Sequence, residues 1–220
     1  ETHPETVLLG GSHIEFFGLH LPTEPHLFSL LAVEEAREVS FQDLLERNCF
    51  SHSSVLFSRQ ALDRGFRYRE AFLHSQDYDL WLRIALEGGV RKLLTPVCFY
   101  RRRLDAISLA NTLEQLEFAE RARILALERQ ATGIDSLERT GRLPEISPAV
   151  EAEIRRRTCN IFLHFAGLLF RRGRIPSGAI LAMRSFSFAP LSSVRELLLL
   201  FLGDRAAAGL RARLGKGSSF

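Results

Sequence analysis

A chain of 220 residues with 46% hydrophobic side chains can bury a sizeable core, as one domain or one domain with a helical appendage, and does not read as disordered. Its formal charge of +3 rests on scattered arginine, since only Lys92 and Lys216 are lysine among 29 basic residues, and this argues against nucleic acid as a partner. Cys49, Cys98 and Cys159 are odd in number, far apart and without a CxxC pair, which argues against a disulfide framework or a zinc site and fits buried small side chains in a reducing compartment.

The chain opens Glu1-Thr2-His3-Pro4 without an initiator Met, a basic n-region or an apolar h-region. No signal peptide is expected, and the opening reads as an internal point of a longer polypeptide. Residues 7–10 and 13–17 are expected as short strands around Gly10-Gly11, followed by a loop from Pro22 to Pro25. Ser40-Phe41-Gln42-Asp43 has capping-box spacing in its acidic form and predicts a short helix through Glu46. Residues 54–58 read as a buried strand and 59–64 as a second short helix. Ser75 is the expected N-cap of a helix over 77–87, with Gly88-Gly89 as its stop. Residues 91–94 and 97–101 are strand-like on either side of Thr95-Pro96.

Beyond Ser108 the strand signals cease. Leu113, Leu116, Ala119, Ala122 and Leu125 hold helical spacing, as do Ile154, Ile161, Phe165, Leu168 and Leu169. Pro176 suits the first turn of a helix ending near Phe188, and Ser193-Val194-Arg195-Glu196 repeats the capping-box spacing before an apolar run at 197–202. That run and the one at 161–170, which His164 interrupts, fall well short of the roughly 20 residues of a spanning helix, so no transmembrane segment is expected. The predicted organisation is a mixed α/β part, residues 1–110, followed by a helical part, residues 111–220.

The segment with most chemistry in it is His74-Ser75-Gln76-Asp77-Tyr78-Asp79-Leu80-Trp81-Leu82-Arg83, where two carboxylates open an amphipathic helix that carries the only tryptophan. Its neighbours give it context. Asn48-Cys49-Phe50-Ser51-His52-Ser53-Ser54-Val55-Leu56-Phe57-Ser58-Arg59 is similar to an "N-x-I-x-H-x-S-V-x-F-x-R" strand and turn. Gly65-Phe66-Arg67-Tyr68-Arg69-Glu70-Ala71-Phe72 resembles a "G-G-Y-D-E-x-F" approach loop, and Gln76 to Arg83 matches "E-D-Y-D-L-W-L-R". Phe99-Tyr100-Arg101-Arg102-Arg103-Leu104-Asp105-Ala106-Ile107-Ser108 is similar to "Y-R-x-H-x-x-S-x-S", and His3-Pro4-Glu5-Thr6-Val7-Leu8-Leu9-Gly10-Gly11 to "H-P-E-x-x-V-V-G-G". In this order the segments resemble the C-terminal, acceptor-side half of a family 2 glycosyltransferase of the GT-A type.

The resemblance implies a mixed-sheet, GT-A-like portion followed by a helical C-terminal region. The activity it implies is transfer of a sugar from a nucleotide-sugar donor to a glycan or lipid-linked acceptor, with inversion. That chemistry serves bacterial cell-envelope polysaccharide or glycolipid synthesis, in the cytoplasm at the inner face of the plasma membrane. In the family the nucleotide-binding half and the Asp-x-Asp that holds a divalent metal, Mg or Mn, precede the segments matched here. No Asp-x-Asp occurs before them in this sequence. The chain is therefore expected to be a fragment that binds nucleotide-sugar poorly by itself, with the metal ligands mostly outside it.

By the same resemblance Asp77 is the general base, a carboxylate at a helix N-terminus where the dipole favours its charged form. Gln76 stands where Glu is usual, so it can hydrogen-bond a hydroxyl but cannot ionise, and the base role falls to Asp77 alone. Asp79 cannot share a helical face with Asp77 and is expected to pair with an arginine, for which Arg83 is a candidate. Trp81 offers either an aromatic platform for a sugar or a core-packing ring, and packing is the preferred reading. His52 is a candidate contact to donor or acceptor at the sheet edge. Arg101 and Arg103 are candidate phosphate contacts, with Arg103 standing where the family often has His.

The tail resembles a tetratricopeptide hairpin only loosely over residues 162–190, because Gly178 and Ser185 stand where that repeat favours Ala and no second copy follows. Residues 197–216, apolar and then basic, have the pattern of a segment that rests on an anionic membrane face. The alternative function is a non-catalytic helical interaction module on a decayed transferase-like domain.

Overall fold

The structure, a computed structural model, describes residues 3, 5–17, 36–102 and 111–189. Among these, four strands form one mixed sheet: β1 (Leu8–Phe17), β2 (Arg37–Glu38), β3 (Val55–Phe57) and β4 (Val90–Arg102), in the order β2-β4-β1-β3. β1 runs parallel to β4 and antiparallel to β3, while β2 runs antiparallel to β4. Seven α-helices accompany them: α1 (Phe41–Glu46), α2 (Arg59–Asp63), α3 (Gln76–Glu87), α4 (Thr112–Thr132), α5 (Ser136–Thr140), α6 (Pro148–Arg171) and α7 (Ile175–Phe186). The chain is mixed α/β.

Two compact units result, residues 1–146 and 147–220. The change from mixed to helical signals at residue 110 therefore precedes the change of unit. α4 and α5 belong to the first unit because Ala122, Leu125, Ala126 and Leu137 join its core.

Where the two expected strands at 7–10 and 13–17 meet, β1 is continuous, and the Gly-Gly pair serves close packing. A Cβ on Gly10 would lie 2.1 Å from the Phe50 ring, and one on Gly11 2.3 Å from a Val97 methyl. β4 is also one strand across Thr95-Pro96. Its register against β1 slips between Gly11 and His13, and β2 pairs only as far as Lys92, so Pro96, which has no N–H, sits beyond β2's ladder. The segment expected as a buried strand over 54–58 is a short edge strand instead, with Leu56 70% exposed. Alternation of residue types does not reveal whether a strand has a neighbour on its far side.

α3 is the centre of the first unit. Tyr78, Asp79, Leu80, Trp81, Leu82, Ile84 and Ala85 are all buried, so the helix is enclosed on most sides, and it packs against α1 and α4. Leu82 and Ile84 each contribute roughly 1.5–3 kcal/mol of transfer free energy by their burial. The capping box at Ser40 forms as the spacing predicts, with the Asp43 N–H donating to Ser40 Oγ at 3.1 Å and the Ser40 N–H donating to Asp43 Oδ2 at 2.9 Å.

In the second unit α6 and α7 form a hairpin turned at Gly173. The buried stripe of α6 runs through Ile154, Thr158, Phe162, Ala166 and Leu169, whereas the expected Ile161, Phe165 and Leu168 are only half-buried beside it. Among the described residues no helix is long and apolar enough to cross a membrane. The expected capping box at Ser193 and the apolar and basic segment at 197–216 lie outside the described residues, as does the loop from Pro22 to Pro25.

Candidate functional site

Ser75 sits at the position expected for the N-cap of α3, but it does not cap. Its backbone is in the left-handed region (φ 53°, ψ 26°), and its Oγ donates to the Gln115 carbonyl at 2.8 Å, tying the start of α3 to α4. It is the only non-glycine residue with positive φ among those described, a conformation that costs about 1–2 kcal/mol. The contact with α4 holds it there. The helix that follows therefore starts abruptly with Gln76 and Asp77, both half-buried.

Asp77 keeps 22% of its side chain in solvent. Its Oδ1 accepts the Tyr78 N–H at 2.8 Å, and its Oδ2 lies 3.7 Å from His52 Nδ1. The carboxylate thus has one oxygen fixed by backbone at the positive end of a helix and the other turned toward an imidazole. The structure brings His52 and Asp77 together from segments that the sequence offers separately.

His52 opens a 3-10 turn, His52–Ser54, that leads into β3. Side-chain contacts anchor that turn to the sheet. Ser51 Oγ and His13 Nδ1 share a hydrogen bond of 2.7 Å, and Ser54 Oγ makes hydrogen bonds to the carbonyls of Gly11 at 2.9 Å and Ser51 at 2.8 Å. Behind His52 lies Trp81, with ring centroids 6.3 Å apart, and in front of it Tyr68, stacked at 6.1 Å and 27°. Burial, and then the nearby charge of Asp77, raise the Tyr68 hydroxyl's pKa above its ordinary value, so the phenol stays protonated.

Trp81 is 1% exposed and packed between Phe50 and Phe57, so the ring fills the core and offers no open platform to a substrate. Its indole N–H is buried without a hydrogen-bond partner among the described residues. Tyr78, three residues earlier on the helix, donates its hydroxyl to the Leu44 carbonyl at 2.6 Å, and burial pushes its pKa up to about 12.

Asp79, also 1% exposed, is paired as its position away from Asp77 implies. Arg69 Nε donates to it at 3.0 Å with a second contact from Nη2, and Arg83 Nη2 donates at 3.0 Å. Arg69 Nη1 continues to Asp135 at 2.7 Å, and Arg129 holds Asp135 and Glu138. This chain of charges braces the turn that carries Asp77 against α4 and α5. At Asp135 burial works to raise the pKa, but the Glu138 N–H, the Arg69 charge and the Arg129 hydrogen bond outweigh it and lower it.

Arg101 lies on β4 with its guanidinium 5.4 Å above the Phe16 ring, an arrangement that holds the strand end. Arg103 lies outside the described residues. Among the described residues no three His, Cys, Asp or Glu side chains gather as a metal site. Cys49, Cys98 and Cys159 form no disulfide, and only Cys159 is fully buried.

Two participants escape a reading of the sequence. Tyr68 falls on the aromatic position of the matched approach loop, where nothing local shows that it meets His52, and the Ser51–His13 contact joins residues 38 apart in the chain.

No protein-family model, curated protein or solved structure matches this chain.

Proposed function

We propose that the chain is the acceptor-side portion of an inverting glycosyltransferase, with Asp77 as the general base. The observation that carries this reading is the accessible Asp77 carboxylate at the N-terminus of α3, beside His52 and braced from behind by the Asp79–Arg69 pair. The acceptor hydroxyl gives its proton to Asp77 as its oxygen attacks the anomeric carbon. The bond from that carbon to the nucleoside diphosphate breaks with its electron pair, and the new glycosidic bond has the opposite configuration. Gln76 offers an amide to a neighbouring hydroxyl. The product is a cell-envelope glycan or glycolipid, made at the cytoplasmic membrane face.

The test is transfer of labelled sugar from nucleotide-sugar donors by the polypeptide that carries this sequence, with the product's anomeric configuration read by NMR. Inversion supports the reading; retention, or no transfer from any donor, contradicts it.

A second reading, a non-catalytic helical interaction module, is favoured by α7, where Ile180, Met183 and Phe186 are exposed at helical spacing. A module of that kind is indifferent to replacement of Asp77.

A further inference from the structure

We propose that Tyr68, backed by His52, forms a stacking platform for a pyranose ring of the acceptor, presenting one of its hydroxyls to Asp77. The proposal rests on the reading of Asp77 as the base, and names what lies against it.

Three rings stand in a row, Tyr68, His52 and Trp81, with neighbouring centroids 6.1 and 6.3 Å apart. The inner ring is locked in the core by Phe57 and Phe50. The other two reach solvent, Tyr68 at the end of the row with 46% exposure and the His52 side chain, between the two rings, with 58%. An aromatic ring this exposed adds little to the core, yet the rings behind it fix its face. Such a face is already organised for a ligand, so little side-chain entropy is lost on binding.

The chemistry of the row selects a sugar over a purely apolar or purely anionic ligand. A pyranose presents axial C–H bonds on one face and hydroxyls around its rim, matching an aromatic face next to a hydrogen-bond acceptor. Asp77 supplies that acceptor, since its Oδ2 lies 3.7 Å from the middle ring and its charge is felt at the Tyr68 hydroxyl. The protonated Tyr68 hydroxyl adds a donor at the same rim. A phosphate would meet the Asp77 carboxylate instead of a cation, which disfavours an anion at this point.

The experiment titrates methyl α-glucoside, galactoside, mannoside and N-acetylglucosaminide into this chain. Binding is read by fluorescence of Trp81, the only tryptophan and the inner ring of the row, and by saturation-transfer NMR. The proposal expects saturable binding of at least one glycoside, weakened by roughly tenfold in Tyr68→Ala and by clearly less in Tyr68→Phe, which keeps the ring face and loses only the hydroxyl's donor. Circular dichroism confirms that both variants are folded. No saturable binding of any glycoside, or binding that Tyr68→Ala leaves unchanged, overturns it.

The platform and the base fail separately. Tyr68-dependent binding together with full turnover in Asp77→Asn removes the base and leaves the platform. Lost turnover in Asp77→Asn together with Tyr68-independent binding removes the platform and leaves the base.

Discussion

Arg69 grips Asp79 through Nε and Nη2 at once, joining the loop before α3 to the helix itself in a pair almost closed to solvent. Asp79 also receives Arg83, so its removal leaves Arg83 without its carboxylate and Arg69 with Asp135 alone. Asp79→Ala should therefore destabilise the chain by about 3–5 kcal/mol, and Arg69→Met by a similar amount. The double replacement should cost clearly less than the sum of the two, because the Arg69–Asp79 contact that each single replacement breaks is lost only once. Urea unfolding of the four species measures the cycle; additive losses would show that the pair is not coupled.

Tyr78 gives the fold an alkaline limit. Burial, the larger cause, raises its pKa from an ordinary 10 to about 12, so the neutral hydroxyl is favoured in the folded state. A raised folded pKa means that this stabilisation is fully present below pH 10 and is lost as pH rises from there toward about 12. Tyr78→Phe should lower stability at neutral pH by roughly 1 kcal/mol, the hydrogen bond to Leu44 being lost, and should flatten the decline above pH 10. Melting temperature against pH for parent and variant is the check, and parallel curves above pH 10 would refute the assignment.

Gly178 sets two effects of opposite sign against each other. Alanine there would gain about 1 kcal/mol of helix propensity. Its Cβ would also lie 2.7 Å from two atoms of the Phe170 ring and 3.1 Å from the Ala166 carbonyl, where α7 crosses α6 closely. Overpacking of this kind costs about 1–3 kcal/mol, so Gly178→Ala should destabilise the hairpin by up to roughly 2 kcal/mol. Helical ellipticity followed through urea unfolding reads the sign, and a more stable variant would show that the crossing yields.

Local devices were legible in the sequence, and devices that depend on distant partners were not. The Ser40 capping box, the Gly88 stop and the Pro176 helix start follow from residues within one turn of each other, and all three stand in the structure. Ser75 has the right residue type and place for a cap, but its hydroxyl prefers a carbonyl on α4, 40 residues away. The stripe of α6 lies one residue off the expected one because Thr158, Ala166 and Gly167 bury well without being strongly apolar. At the site, Asp77 and Asp79 could be separated by helix geometry alone, and Arg83 is one turn from Asp79. That Arg69 is the principal partner of Asp79, and that His52 comes to rest beside Asp77, needed the folded chain.

The central claim is that Asp77 takes the acceptor's proton, and it is tested most directly by kcat in Asp77→Asn. The assay uses a polypeptide that carries this sequence and turns over a nucleotide-sugar, with melting temperature as the control for folding. Loss of a positioned base should lower kcat by about 10²–10⁴ with the melting temperature little changed. Turnover within about twofold of the parent would contradict the account, since a group that accepts the proton in the rate-determining displacement cannot be removed at so small a cost.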